Sequence, residues 1–443
     1  MKDRELPKVM AISLSTWRSD SGIHTQTDLF KFWNPDKVAQ IYTKSDMPNT
    51  PVCNKFFQIS ENAVIKSVLN RKAVGKVVYN GEENNSKVVQ EEKKLYEKAH
   101  KKKSWLMTII REIVWSCGKW KTEELDKFVS NFDAEVYFVP IYPVVYTAKI
   151  QQYILKKFPK PYVCYLADDN YSYKPCGKNL FAYMHRFMLR KVVRQLAENC
   201  TEMFTITKTE AIDTDKLFGT QSIVLTKGID YSKLTYEEKE INTPIKMVYT
   251  GNLLIGRASS LVAISKALAN INQESTKIEL DIYSPTILDG KTMKYLNSNG
   301  CHFKGAVPKC EVEAIQKNAD VVVFVESLER EHRYAARLSF STKLTDYFAS
   351  GKCIFAIGDK NIAPIEYLSE NDAAIICVEY NEIETRIREI VDNPQKIHAY
   401  GEKAFNCGKK NHEQSLVKKT FIDTLCKAAE EGKRNDYKGT NNR

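Results

Sequence analysis

Short apolar runs alternate with longer stretches of helical periodicity along almost the whole chain. In the first half the runs are KVMAISL (8–14), VAQIYT (38–43), KFFQIS (55–60), AEVYFVP (134–140), YVCYLAD (162–168), MFTIT (203–207) and SIVLTK (222–227). In the second half they are KMVYTG (246–251), IELDIYS (278–284), HFKGAV (302–307), DVVVFV (320–325), CIFAIG (353–358) and AAIICVE (373–379). Their length and their β-branched and aromatic content predict strands. Their alternation with helices predicts parallel sheets covered on both faces, an α/β chain with two doubly wound domains. The polar, charged stretch KGIDYSKLTYEEKEINTPI (227–245) is the expected linker between a domain over 1–226 and a domain over 246–408. The Lys-, Asn-, Gly- and Glu-rich end, residues 431–443, is expected to be a flexible tail.

One segment departs from this rhythm. HKKKSWLMTIIREIVWSCGKW (100–120) sets Leu106, Ile109, Ile110, Ile113 and Val114 near helical spacing, with Trp105, Trp115 and Trp120 nearby and three lysines leading in. Such a helix fits either a membrane interface or the core of the first domain beneath a solvated lysine cluster.

Bulk properties narrow the classes. A chain of 443 residues exceeds one typical core, in keeping with two or three domains. Its net charge of +11 fits phosphate-bearing ligands or an anionic membrane surface. No nucleic-acid module accompanies that charge. Eleven cysteines, an odd number without a C-x-x-C pair, argue against a disulfide framework and for a reducing cytoplasm. The opening MKDRELPKVMAISLSTW lacks the pattern of a signal peptide, and no apolar run approaches the roughly 20 residues that span a bilayer.

The chemistry concentrates in a few places. In SFSTKLTDYFASGKCIFAIG (339–358), Ser341 or Thr342 can cap a helix that Gly351 ends. Lys343 then falls in the first turn, where the helix dipole disfavours a cation, so an anion is expected nearby. Asp346, one turn on, is also what an ordinary helix start carries. KMVYTGNLLIGRASSLVAIS imitates a Walker A loop through Gly251 and Gly256, but Arg257 and Ala258 stand where Lys and Ser or Thr are needed. The loop still offers backbone N–H groups to phosphate, and Arg257 is either a bidentate phosphate ligand or a plain surface arginine. Gly22, in STWRSDSGIHTQTDLF, either admits close approach of a ligand or is a turn glycine. Asp168 and Asp169 follow a strand at its carboxyl end, where open α/β sheets bind ligands. They suit a base, a metal ligand or a hydroxyl acceptor, or else an Asx turn. No zinc spacing, H-E-x-x-H or G-x-S-x-G pattern is found, and no metal or cofactor is expected.

Together these stretches resemble GT-B glycosyltransferases, and most closely family 4 (glycosyl transferases group 1) enzymes of bacterial surface-polysaccharide assembly. FSTKLTDYFASGKCIFAIG is similar to that family's P-S-K-x-x-E-Y-x-A-x-G-K-P pattern, KGIDYSKL to its N-G-x-D-x-x-x-F linker, and FKGAVPKCEVEAIQKNADVVVFVES to its base-receiving segment. The resemblance implies a UDP- or GDP-sugar donor on the second domain and, on the first, a glycan or polyprenyl-diphosphate-linked acceptor. The reaction would belong to capsule, O-antigen or exopolysaccharide synthesis at the cytoplasmic membrane face, with peripheral membrane contact. A retaining, metal-free mechanism is typical of the family. By the same likeness, Arg257, Lys343, Ser341, Thr342 and Gly22 would meet the diphosphate, and Asp346 the ribose. Gly305 and Val307 would meet the base, and Asp168 or Asp169 would act at the donor sugar. A helix over 409–430 would cross back to the first domain. Leu338 stands where the family carries its first glutamate, and Asn252 where many members carry an arginine. The rivals are a nucleotide-sugar 2-epimerase and an assembly partner that kept the fold without catalysis.

Overall fold

The computed structural model describes residues 5–19, 25–81, 105–332 and 334–440, with side chains up to residue 434 in the last stretch. Gly22 and the lysines at 101–103 lie outside the described residues. The chain divides into two compact units, Met1–Leu225 with Lys418–Arg443, and Thr226–Val417.

The first unit is built on β1 (Val9–Ile12), β2 (Val38–Tyr42), β3 (Lys55–Gln58), β4 (Lys76–Val78), β5 (Val136–Pro140), β6 (Tyr162–Leu166), β7 (Glu202–Thr205) and β8 (Ile223–Val224). They form one sheet in the order β4-β3-β2-β1-β5-β6-β7-β8. Each of the seven predicted runs contains a strand, and these pair in parallel. The pattern did not announce β4, a three-residue edge strand antiparallel to β3. Only Val78 of its three residues is buried, so it carries almost no apolar signal. Gly75, at φ +121°, lets the chain turn into β4 across the Phe57 ring, where a Cβ has no room.

The second unit holds β9 (Ile245–Thr250), β10 (Ile278–Tyr283), β11 (Cys301–Gly305), β12 (Val321–Val325), β13 (Cys353–Ile357) and β14 (Ile375–Cys377). Their order is β11-β10-β9-β12-β13-β14, parallel throughout. The central strands β12 and β13 are buried at every residue, as VVVFV and CIFAI require with both faces covered. In β10, which like β13 lies beside an edge strand, buried and half-buried residues alternate.

Residues of the expected linker are packed on the second unit. Tyr231 is buried 5.4 Å from the Phe405 ring, and the Tyr236 hydroxyl donates to the His398 carbonyl at 2.8 Å. The last helix, expected over 409–430, spans Gln414–Thr440 and follows helix Gln395–Asn411; the second of these two is the one that was expected. The second carries Phe421, buried against Phe30, Phe138 and Phe204 of the first unit's core. That helix runs on through much of the expected flexible tail. Gly432 packs on Pro161, and Lys433 pairs with Glu135 at 2.6 Å, contacts that composition does not reveal.

Of the 100–120 segment, Trp105–Cys117 forms a helix, and of the two readings its apolar row departs from the core one. Its buried residues are Glu112 and Trp115, while Leu106, Met107, Ile110 and Ile113 are exposed. Trp115 stacks on Tyr146 at 4.2 Å. Glu112 accepts from the Val145 and Tyr146 N–H groups at 2.8 Å each, capping helix Val145–Lys157, and lies 3.2 Å from His185 Nε2. A carboxylate from another helix thus meets the positive end of this one.

Candidate functional site

In the second unit, β9 runs into Thr250-Gly251-Asn252-Leu253-Leu254-Ile255-Gly256 and then helix Arg257–Ile271. Three residues of this loop have positive φ: Gly251 at +149°, Ile255 at +59° and Gly256 at +74°. Gly256 is the N-cap of the helix and supplies no side-chain bond. Gly251 is required for a specific reason. A Cβ there would collide with the Lys343 ammonium, which reaches across from helix Thr342–Ser350 into that space.

Lys343, Arg257, Asn252, Tyr249, Glu326 and Ser341 share a small cavity of about 130 Å³ against the backbone of β12. The two cations differ. Arg257 makes a two-pronged pair with Glu326, Nε to Oε2 at 3.1 Å and Nη2 to Oε1 at 2.8 Å, and donates through Nη1 to Asn252 Oδ1 at 2.9 Å. Burial opposes its charge, but Glu326 overrides that and holds it more firmly protonated. Lys343 has neither a hydrogen-bond acceptor nor an ion-pair partner among the described residues. Its ammonium lies 5.0 Å from the Tyr249 ring centroid. Burial, with the Arg257 charge beside it, lowers its pKa to about 8. The cavity therefore holds two cations against one carboxylate, and the unpaired cation is Lys343.

The helix end reinforces this. Ser341 is the N-cap of helix Thr342–Ser350, but its side chain makes no capping bond. The first-turn N–H groups of a helix have no intrahelical partner, so they are donors aligned with the positive end of the dipole. Ser341 lines the cavity, whereas Thr342 is exposed and does not. Cation and helix end thus converge on one small cavity beside β12, an arrangement whose chemistry suits an anion.

The remaining expected residues fall elsewhere. Asp346 Oδ1 takes the Lys227 ammonium at 2.6 Å, and its Oδ2 makes no hydrogen bond among the described residues. Gly305, at φ +77°, ends β11, and Val307 follows it ahead of helix Lys309–Lys317. At about 4.8 Å per strand, β11 stands about 10 Å from β9 across the sheet. Asp168 and Asp169 belong to the first unit, just beyond β6. Asp169 is committed to an Asx turn, accepting from the Ser172 N–H at 2.8 Å and from the Ser172 hydroxyl, while its carbonyl takes Arg186 Nη1 at 2.8 Å. Asp168 is the exposed one of the pair.

Glu326 and Lys227 were not singled out by their sequence. Glu326 directly follows the all-buried VVVFV, and a carboxylate at the carboxyl end of a buried strand was the available signal. No group of three or more metal-ligating side chains occurs among the described residues.

No family model matches the chain, and neither does any curated protein. Solved structures do. HepE of Anabaena in complex with UDP is similar at 9% identity and TM-score 0.61, over 95% of this chain and 100% of that one. Sucrose-phosphate synthase from Thermosynechococcus elongatus is similar at 11% identity and TM-score 0.60, over 95% and 98%. α,α-Trehalose 6-phosphate synthase from Burkholderia multivorans is similar at 9% identity and TM-score 0.60, over 98% and 99%. With its two parallel-sheet units aligned over nearly the full length of such enzymes, this chain has the GT-B fold.

Proposed function

We propose that the chain is a glycosyltransferase that moves a sugar from a UDP- or GDP-sugar to a glycan or lipid-linked glycan in surface-polysaccharide synthesis. The observation that carries this reading is the unpaired Lys343 ammonium beside the uncapped start of its helix. Transfer breaks the bond between the anomeric carbon and the diphosphate oxygen. Negative charge develops on that oxygen, and a fixed cation and fixed N–H donors stabilise it without reorganising. Arg257 acts with Glu326 as a rigid wall that keeps Lys343 in place and supplies a secondary phosphate contact. Asp346 Oδ2 is assigned the ribose hydroxyls, and the backbone from Gly305 to Val307 the base. Of the paired aspartates, Asp168 is assigned the reacting sugar, because it is the exposed one of the two. Similarity to HepE, which was solved with UDP and with UDP-glucose, supports a uridine donor.

Calorimetry with UDP and GDP, then turnover of a nucleotide-sugar panel with and without a polyprenyl-diphosphate-linked glycan, tests this. Lys343→Ala should weaken nucleoside diphosphate binding by about 2 kcal/mol, roughly thirtyfold. Nucleotide release should require the acceptor. Absence of nucleotide binding would remove the donor site, and conversion of the sugar without acceptor would replace transfer by epimerisation.

A further inference from the structure

Lys343 and Asp346 stand three residues apart on helix Thr342–Ser350, so they share one face of it. Lys343 reaches into the anion cavity, whereas Asp346 does not line it and keeps its side chain 45% exposed. An exposed short carboxylate has little packing to select its rotamer, and fixing it for a ligand costs entropy. Here one oxygen is already held. The Lys227 ammonium, on a side chain only 21% exposed, sits 2.6 Å from Oδ1.

The backbone that carries Lys227 is fixed on both sides. The Thr226 hydroxyl lies 2.8 Å from His412 Nδ1. The Ile229 N–H donates to the His412 carbonyl, and the Ile229 carbonyl accepts from the Gln414 N–H, at 2.8 Å each. Gly228, between them, packs so closely that a Cβ there would meet the Gln414 Cα at 2.9 Å. The lysine stem therefore starts from an anchored point. The two residues also depart together from the patterns that the chain resembles. Lys227 stands at the asparagine of N-G-x-D, and Asp346 at the glutamate of P-S-K-x-x-E. The acid is one methylene shorter, and a longer, charged side chain from the other segment meets it. A nucleoside diphosphate gains in two ways from this pair. Oδ2 is held in one orientation before the ligand arrives, and a negative charge one turn from the phosphate-side lysine is offset.

We infer that Lys227 is a positioning residue for the donor's ribose: it holds the Asp346 carboxylate by Oδ1 so that Oδ2 is presented to the sugar hydroxyls. The inference rests on the donor reading above and adds to it a residue from the expected linker. Calorimetry on the full chain tests it, with UDP and GDP and the 2′,3′-dideoxy analogue of whichever binds. Wild type should bind the nucleotide at least about tenfold more tightly than its dideoxy analogue. Lys227→Met should lower nucleotide affinity about tenfold and leave that of the analogue within about twofold of wild type. Lys227→Arg, which keeps the cation, should retain the preference. Asp346→Asn alone and Asp346→Asn with Lys227→Met should lose the same affinity, because the lysine acts through the carboxylate. Equal losses for nucleotide and analogue would assign Lys227 to the phosphates or to the fold and overturn the inference. So would additive losses, or a Lys227→Met chain that binds as wild type does. A wild type that binds the nucleotide with no preference for its hydroxyls would overturn the ribose assignment and leave the phosphate site standing. One that binds neither nucleotide would remove the donor reading, and this inference with it.

Discussion

Arg257 and Lys343 line one cavity and carry one sign, yet removing each should do different damage. Arg257 is 19% exposed in its side chain and Glu326 8%, so Arg257→Ala leaves a buried carboxylate without its partner. That should cost about 3 kcal/mol of folding stability. Adding Glu326→Gln to Arg257→Ala should recover most of it, as urea denaturation would show. Lys343 stabilises nothing comparable, and its loss should appear in ligand affinity. The sequence made Lys343 legible, because a cation in a first helical turn opposes the dipole and calls for a reason. It did not make the state of Arg257 legible, because its partner lies 69 residues away, just past the end of β12. The same holds for Asp346, whose partner Lys227 is 119 residues distant. Asp169 was readable as an Asx turn, since that bond closes within three residues.

At the scale of elements, runs of apolar residues located all the strands but β4, because a buried parallel strand needs little beyond those residues. The helix at Trp105–Cys117 shows where pattern fails. Periodicity identified a helix but left open whether its apolar row faced the core or a membrane interface. The side that is actually buried includes Glu112, whose carboxylate takes two N–H groups of helix Val145–Lys157. Val144, the N-cap there, supplies no side-chain bond, so the next helix depends on this one for its cap. Glu112→Ala should therefore destabilise the first unit by about 3 kcal/mol, and Glu112→Gln, which keeps one acceptor, by about half of that. Chemical denaturation of the two substituted chains measures the difference. A cap supplied from a neighbouring helix leaves no local signature, unlike Thr122, which precedes its own helix and accepts from Leu125 N–H.

For the whole molecule, the two-sheet architecture followed from the alternation of runs and helices, and the polar stretch after residue 226 marked where one series ends. Its tethering to the second unit was not readable, since Tyr231 and Tyr236 are single aromatics in a charged stretch. Near that tether lies a determinant of acid stability. His412 is buried, with Nδ1 2.8 Å from the Thr226 hydroxyl and Nε2 2.9 Å from the Tyr367 hydroxyl, and burial lowers its pKa from 6.5 to about 4. The folded chain keeps it neutral, whereas the unfolded chain takes up a proton below about 6.5. Its contribution is present above that pH and is lost as pH falls toward about 4, by about 3 kcal/mol in all. Unfolding measured between about pH 7 and about pH 4.5 should show this slope, and His412→Gln should flatten it.

The lysine seated over Gly251 has a consequence for proton bookkeeping. An ammonium with a pKa near 8 is partly neutral in mildly alkaline solution. A doubly charged phosphate arriving beside it favours the protonated form and raises that pKa. Above neutrality, each binding event would then draw a fraction of a proton from solvent. The heat of binding would depend on the ionisation enthalpy of the buffer, and departure of the charged product would return that proton.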